Sequence, residues 1–290
     1  MDLIMPNTKN YRSSSTAHHR GTPNQNGLTL VELMVGIAIG LLVVAVAMGA
    51  LMASRGISGT VSDATSLQQQ ASYAFRVIGL QIKQAGSLEL SLNPTIAGAS
   101  VDDTNAAMEP VAFDPPDPTG VRPSFDRSAS TIAGSDSPVD FTVGYQNYTE
   151  ITTGSATVPA SLLRDCLGQN SGAAVLSSKF ELDSTAHELK CTGATAAGAQ
   201  AIIGNVTDFK IRYAVQAPGT TTMQYEDSAA AISNWGNVYA VEVCLELTGS
   251  ENTPTASGTY KNCSGTDTSY GDRLKMVFHN TYQIRSQSQV

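Results

Sequence analysis

The stretch GLTLVELMVGIAIGLLVVAVAMGALMASRG, residues 27–56, decides the fold expected of this chain. From Leu33 to Ser54 it contains neither a charged residue nor a proline. As a helix this run is about 33 Å long at about 1.5 Å per residue, close to the roughly 30 Å hydrocarbon core of a bilayer. We therefore predict a membrane-spanning helix over residues 28–55. One carboxylate, Glu32, stands at the head of this helix and requires an explanation.

Two ordinary explanations of the apolar run do not account for Glu32. A cleaved secretory signal peptide has an apolar region of only about 7–15 residues, so this run is too long for one. An uncleaved anchor fits the length. Residues 1–27 carry Lys9, Arg12 and Arg20 against Asp2, and this positive excess keeps the amino end in the cytoplasm. Both explanations place the rest of the chain outside the cytoplasm.

The order of Gly27, Leu28 and Glu32 before an unbroken apolar run resembles the type IV prepilin signature. Leu28 departs from the phenylalanine that is commoner after the cut. The resemblance implies that residues 1–27 are a leader, that a prepilin peptidase cuts between Gly27 and Leu28, and that the new Leu28 amine is methylated. Methylation keeps the positive charge. Glu32 would then pair with this amine in its own or a neighbouring subunit and set the register of assembly, since an unpaired charge in apolar surroundings is costly.

After Arg55 the pattern of the helix becomes one-sided. We expect residues 56–86 to continue the helix as an amphipathic segment, with Gly86 as its stop. Apolar residues at spacings of three, four or seven define the face that packs on the rest of the protein. They are Ile57, Val61, Ala64, Ala71, Phe75, Ile78, Ile82 and Ala85.

Residues 87–290 are expected to form a head domain rich in β-strands. The proline-rich stretch at residues 109–123 disfavours helices and central strands, so we predict a surface loop there. Apolar and polar residues alternate along residues 209–215, 239–247 and 274–284, as in half-buried strands. FTVGYQ, from Phe141, is a further candidate strand, and AAVLSSKFELD with HELKC suggests a hairpin. The predicted class is α+β, with the long amino-terminal helix packed on an antiparallel sheet.

This order of elements is similar to that of the pilins, whose fold is a long helix packed on an antiparallel sheet. Four segments resemble the PilW group of minor pilins. They are ASYAFRVIGLQIKQAG, IIGNVTDFKIRYAV, NVYAVEVCLEL and LKMVFHNTYQIRS. The resemblance therefore covers both ends of the chain and not its proline-rich middle.

Four cysteines follow the apolar run: Cys166, Cys191, Cys244 and Cys263. An even number in an exported domain indicates two disulfides, for which three pairings are possible. We favour Cys166 with Cys191 and Cys244 with Cys263, because each pair closes a short loop without crossing the other. Four reduced thiols are the alternative. No CxxC spacing supports a metal site or dithiol redox chemistry.

Composition and motifs give little indication of an enzyme. The formal net charge is −8, and removal of the positive leader makes the remainder more acidic, so we expect no direct nucleic-acid binding. After the leader the sequence has His187 and His279 but no phosphate loop, HExxH motif or nucleophile elbow. We therefore expect no catalytic, cofactor or metal site.

The resemblance implies a structural minor pilin. Its precursor would be a single-pass protein of the bacterial inner membrane with a periplasmic carboxyl-terminal domain, and the cleaved protein would join a type IV pilus at the cell surface. Its partners would be the prepilin peptidase, the inner-membrane assembly platform, and other major and minor pilins through the amino-terminal helix. It would help to initiate assembly and support adhesion, twitching motility or DNA uptake. A minor pseudopilin of a type II secretion system and a membrane-anchored periplasmic binding protein are the alternatives.

Overall fold

The computed structural model describes residues 27–88, 90–91, 112–113, 125–148, 161–170, 172, 175–195, 198–217, 219–220, 222–252 and 258–284. Most of the predicted leader and of the proline-rich loop lies outside these residues. The first element is helix α1, Leu30–Gln84. The chain divides into a first unit, Met1–Ala53, and a second unit, Ser54–Val290.

The first unit contains the amino-terminal part of α1, in which every residue from 27 to 53 is exposed. After Glu32 this part carries no charged side chain before Arg55. Within the described ranges, α1 is the one helix that is long and apolar enough to cross a membrane. A helix that is apolar all round is typical of a membrane span.

The second unit contains a four-stranded antiparallel sheet. Its strands lie in the order β13, β10, β8, β9. The bounds are Val206–Gln216 for β8, Met223–Glu226 for β9, Val238–Asn252 for β10 and Arg273–Gln283 for β13. The three strands predicted from alternation are therefore confirmed as neighbours in one sheet. Their inward side chains include Phe209, Ile211, Val241, Val243 and Leu245, all buried.

A second antiparallel sheet has five strands in the order β3, β4, β5, β6, β7. The strands are Ile132–Asp136, Val139–Gln146, Val175–Asp183, Glu188–Thr192 and Gln200–Ile203. The predicted strand from Phe141 and the predicted hairpin, β5 with β6, are confirmed. Phe141 stacks on Phe180 with ring centroids 5.1 Å apart and packs on Phe209 of the other sheet at 6.2 Å. The two sheets thus share one core with α1, where the sequence suggested a single sheet.

The remaining described elements are short. Strands β1 and β2, Leu90–Ser91 and Ala112–Phe113, pair with each other, as do β11 and β12, Thr259–Lys261 and Asp267–Ser269. Helix α2 is Arg127–Ser130. The β11–β12 hairpin explains why Glu246, on the outward face of β10, is only 5% exposed. The Tyr260 hydroxyl of that hairpin donates a hydrogen bond of 2.7 Å to Glu246 Oε1.

The carboxyl-terminal part of α1 buries one face in the second unit. The prediction is confirmed for Ala71, Ile78 and Ile82, but it is wrong for Ile57 and Val61, which are 68% and 61% exposed. Burial on the head begins only where the end of β10 reaches the helix. The buried helical residues are Asp63, Leu67, Ala71, Ala74, Ile78, Gly79, Gln81 and Ile82.

Gly86 ends the helix as predicted. Helix α1 stops at Gln84, and Gly86 has a φ of 68°, a backbone conformation that glycine adopts without steric cost. The Gly86 N–H donates to the Gly144 carbonyl at 2.8 Å. This hydrogen bond therefore holds the chain against strand β4 where it leaves helix α1.

Candidate processing and assembly site

The residues predicted to be cut and methylated lie immediately before α1. Gly27, Leu28 and Thr29 are outside the helix, which begins at Leu30. Leu28 is 78% exposed. The Gly27–Leu28 bond therefore lies before the first helical residue of this segment.

Thr29 and Glu32 form a capping box at the start of α1. The Glu32 N–H donates to Thr29 Oγ1 at 3.3 Å, and Glu32 Oε2 accepts the Thr29 N–H at 3.0 Å. The Thr29 hydroxyl also donates to Glu32 Oε2 at 3.0 Å. These bonds satisfy backbone N–H groups that the first turn of a helix otherwise leaves unpaired.

The capping box gives Glu32 a role in the uncut chain that the prepilin resemblance does not include. That resemblance names Gly27, Leu28 and Glu32, but not Thr29. The sequence nevertheless indicates a role for Thr29, because Thr-x-x-Glu before an apolar run is the sequence signature of a capping box. The geometry directs the carboxylate to the backbone of Thr29, the residue that follows Leu28. An amine created at Leu28 would therefore appear within one turn of Glu32.

Two hydrogen-bonded anchors hold α1 against the head. Near the middle of the helix, Asp63 accepts from the Ser250 hydroxyl at 3.0 Å and from the Glu251 N–H at 2.9 Å, at the end of β10. Gly249 allows this approach, because a Cβ at that position would lie 2.4 Å from Asp63 Oδ2. A buried carboxylate is tolerated here because it is hydrogen-bonded.

The second anchor is a buried polar network around Gln81. Its Oε1 accepts from the hydroxyls of Tyr145 and Ser178, both at 3.0 Å. The Tyr145 hydroxyl also contacts the Arg164 carbonyl at 2.7 Å. Burial raises the pKa of Tyr145, so its hydroxyl stays protonated as a donor. The network connects α1 to strands β4 and β5.

Tyr282 of β13 completes the attachment of the helix. Its hydroxyl donates to the Phe75 carbonyl at 2.7 Å, and burial raises its pKa to about 12. Gly79 lets the ring approach, since a Cβ there would lie 2.7 Å from Tyr282 Cε1. Both sheets therefore contribute contacts to the same helix.

Disulfides join Cys166 to Cys191 and Cys244 to Cys263, with Cα–Cα distances of 6.4 and 5.7 Å. These are the two pairings that the sequence favoured, each of which closes a short loop. The first bond connects the segment before β5 to β6, and the second connects β10 to the β11–β12 hairpin. Both cross-links lie in the second unit.

The described residues contain no group of three or more histidine, cysteine or acidic side chains that could hold a metal ion. His279 lies on β13 as predicted. His187, also predicted on a strand, instead occupies the turn between β5 and β6 with a φ of 55°. Asp102 and Asp103, an acidic pair in the sequence, lie outside the described residues.

Comparisons with known proteins match both ends of the chain. Residues 22–48 match the prokaryotic N-terminal methylation motif, and residues 175–286 match type IV pilus-assembly protein W. No curated protein matches. Among solved structures, a type IV-like pilin from Thermus thermophilus aligns with a TM-score of 0.40 and 9% identity, over 77% of this chain and 97% of that chain.

Proposed function

We propose that this chain is a type IV minor pilin of the PilW type, a structural subunit that helps to initiate pilus assembly; its methylation motif and its matched segment support this. The observation that carries the proposal is the position of Glu32. Its carboxylate is held at the first turn of an exposed apolar helix, beside the bond expected to be cut. A capping box stabilises the start of any helix, but a plain membrane anchor does not need Gly27, Leu28 and Glu32 in this order before its apolar run.

Processing is the first step of the proposed function. A prepilin peptidase removes residues 1–27 on the cytoplasmic face, and the Leu28 amine is methylated. The matched motif spans this bond. Exposure of Leu28 and its position outside the helix support access to the bond. Until the cut, the capping box keeps the Glu32 carboxylate hydrogen-bonded to Thr29.

Assembly is the second step. The precursor is held in the inner membrane by the first part of α1, with the head in the periplasm, where disulfides form. The assembly platform then moves the subunit into a filament, where apolar helices pack together and Glu32 pairs with a Leu28 amine. Pairing lowers the cost of a carboxylate in apolar surroundings and fixes one axial register. Adhesion, twitching motility or DNA uptake then follow as properties of the completed pilus.

Mass spectrometry of the protein isolated from a strain with an active prepilin peptidase tests this proposal. We expect an amino terminus at Leu28 carrying a methyl group. A Gly27→Leu variant should retain residues 1–27, whereas an Asn26→Ala variant, changed at the neighbouring position, should still be cut. Retention of residues 1–27 in the unmodified protein would overturn the proposal.

A further inference from the structure

The two sulfurs of the Cys244–Cys263 disulfide have different surroundings. Cys244 lies on the outward face of β10 and is 4% exposed, whereas Cys263 lies in the turn between β11 and β12 and is 9% exposed. Cys263 lines a cleft of about 470 Å³ beside the hairpin, and Cys244 is not among the described residues that line it. A small molecule in this cleft therefore meets Cys263 first.

The Cys244 sulfur is in contact with an imidazole. Cys244 and His279 are directly opposite each other in the ladder between β10 and β13, and His279 Nε2 lies 3.6 Å from Cys244 Sγ. The other ring nitrogen, Nδ1, lies 3.4 Å from Oε1 of Glu242, two residues before Cys244 on β10. Strand register thus aligns a carboxylate, an imidazole and a sulfur, although the cysteines are 19 residues apart in sequence.

This alignment affects how the disulfide is broken. In thiol–disulfide exchange, an incoming thiolate forms a bond to one sulfur, and the other sulfur leaves as a thiolate with both electrons of the old bond. Exchange is faster when the leaving thiol has a lower pKa, and a neighbouring imidazolium stabilises a thiolate. Because an imidazolium carries hydrogen on both nitrogens, His279 can donate to Glu242 and to a departing Cys244 thiolate at once.

The Cys166–Cys191 disulfide is an internal comparison within the same chain. Cys191 is 0% exposed, and the Cys166 sulfur lies 3.8 Å from the Thr192 carbonyl oxygen. Among the hydrogen bonds of the described residues, none joins either of these sulfurs to a cationic side chain. A carbonyl oxygen is an acceptor and does not stabilise a thiolate. The two disulfides therefore differ in the support they give to a leaving sulfur.

We propose that Cys263 is a site of thiol modification, at which a small soluble thiol enters the cleft and displaces Cys244 beside His279. The new bond between the thiol sulfur and Cys263 Sγ replaces the old disulfide bond, so no further oxidant is needed. The proton lost by the entering thiol balances the proton taken up at the Cys244–His279 pair. With a dithiol, the second thiol then displaces Cys263, so the dithiol is oxidised to a disulfide and both cysteines are reduced.

The exchange would remove the covalent link between β10 and the β11–β12 hairpin. The hydrogen bond from the Tyr260 hydroxyl to Glu246 then remains to hold the hairpin. Lys275 Nζ also lies 5.7 Å from the centre of the Tyr260 ring, a cation–π contact that the exchange does not break. The modified head therefore keeps its fold but loses one cross-link. This inference does not depend on pilus assembly.

Trapping of the mixed disulfide tests which sulfur is attacked. The full chain in a nonionic detergent is exposed briefly to glutathione and then to an excess of iodoacetamide, and its peptides are analysed by mass spectrometry. We expect glutathione on Cys263 and the alkyl group on Cys244. Glutathione mainly on Cys244, or an adduct on neither cysteine, would overturn the proposal.

The rate of reduction by dithiothreitol tests the role of His279. His279→Gln should slow reduction of Cys244–Cys263 about tenfold, because the leaving thiolate loses its cationic partner. Reduction of Cys166–Cys191 should not change. The control is His187→Asn, which removes the imidazole of the β5–β6 turn with a residue that tolerates its positive φ, and it should alter neither rate.

The same measurement in unfolding concentrations of urea separates a direct effect of His279 from a general change in the fold. The wild type and His279→Gln should then be reduced at the same rate, because unfolding separates the imidazole from the sulfur. Equal rates in the folded wild type and folded His279→Gln, or an equal slowing of both disulfides in this variant, would contradict the assigned role.

Discussion

The two parts of helix α1 differ in what covers them, although the helix is continuous. From residue 30 to 53 every side chain is exposed, and Leu41 and Leu42 are each 65% exposed. From Asp63 onward one face is buried, and Ala74 and Ile78 reach 0% exposure. One secondary-structure element thus belongs to two different environments.

This difference shows where each part obtains its stabilising burial. Apolar burial contributes roughly 25 cal/mol per Å², and the second part obtains it from the two sheets of its own chain. The polar anchors at Asp63 and Gln81 then fix its position. The first part has no such cover among the described residues. In the proposed function, lipid and then other subunits cover it.

The largest expected effect comes from a change in the first part of helix α1 alone. Glu32→Gln keeps the length of the side chain but removes its charge, so the proposed pairing with the Leu28 amine is lost. We expect incorporation into pili to fall about tenfold or more, because breaking a buried pair costs about 3–5 kcal/mol. Immunoblots of sheared pili and of membrane fractions measure this effect.

Membrane insertion and the unfolding midpoint of the head should not change in that variant, since the hydrogen bonds of Glu32 are made to Thr29 of the same helix start. Normal incorporation of Glu32→Gln into pili would argue against the registry role of this carboxylate.

The next largest effect comes from a change in the second part of helix α1. Ile78→Ala should destabilise the head by about 2–5 kcal/mol, because it leaves a cavity in a fully buried site. Urea unfolding followed by fluorescence of Trp235, the single tryptophan, measures it. Leu80→Ala, two residues away at 48% exposure, should cost less than about 0.5 kcal/mol. Equal losses in the two variants would contradict the assigned buried face.

Removal of a disulfide tests whether the head depends on its own cross-links. Replacing Cys244 and Cys263 by Ala should destabilise the head by about 2–4 kcal/mol, since the open chain gains conformational entropy when unfolded. The Cys166 and Cys191 pair should behave in the same way. The urea midpoint, measured with and without a reductant, reports the loss. A midpoint insensitive to both treatments would argue against the cross-links.

The anchor at Asp63 gives a smaller effect. Asp63→Ala removes the acceptor of the Ser250 and Glu251 bonds, and loss of bonds to a charged group costs about 1.5–3 kcal/mol. Asp63→Asn retains one oxygen acceptor and should lose less. The same urea titration compares them. If both variants match the wild type, this contact does not hold the helix.

The smallest effect concerns pH and lies at the β5–β6 turn. Bonds from Lys190 and from the Ala186 and Thr185 N–H groups lower the pKa of Asp183 from 3.8 to about 2. Because the pKa of Asp183 is lower in the folded state than in the unfolded state, this carboxylate stabilises the head at pH values above its unfolded-state pKa. This contribution is therefore lost as pH falls from 3.8 towards 2. Thermal melts of Asp183→Asn should show a weaker pH dependence there than the wild type. Identical pH profiles would contradict the role assigned to this carboxylate.

Features set by local sequence could be predicted. The apolar run, the charge at Glu32, the stop at Gly86 and the alternation of the long strands each depend on residues close together in the chain. The two disulfide pairings also followed from short loops. Apart from the disulfides, whose cysteines are 25 and 19 residues apart, one physical requirement, such as burial of one face, is met by neighbouring residues in each case.

Features set by distant residues could not be predicted. Asp63 and Gln81 are polar, and hydrogen bonds from Ser250, Glu251, Tyr145 and Ser178 make their burial favourable. The predicted buried face of α1 reached too far towards the amino end, because the spacing of its apolar residues does not show where contact with the head begins. The division of strands between two sheets likewise depends on long-range packing.

The Asp63 contact has a mechanical consequence. A pull on the amino-terminal part of α1 loads the bonds from Asp63 to Ser250 and Glu251 and passes the force into β10. Strand β10 is hydrogen-bonded on both sides, to β8 and β13, and Cys244 cross-links it to the adjacent hairpin. Force entering this strand is therefore shared over many hydrogen bonds at once. We therefore expect a load on Asp63 to be spread along β10 and its neighbouring strands.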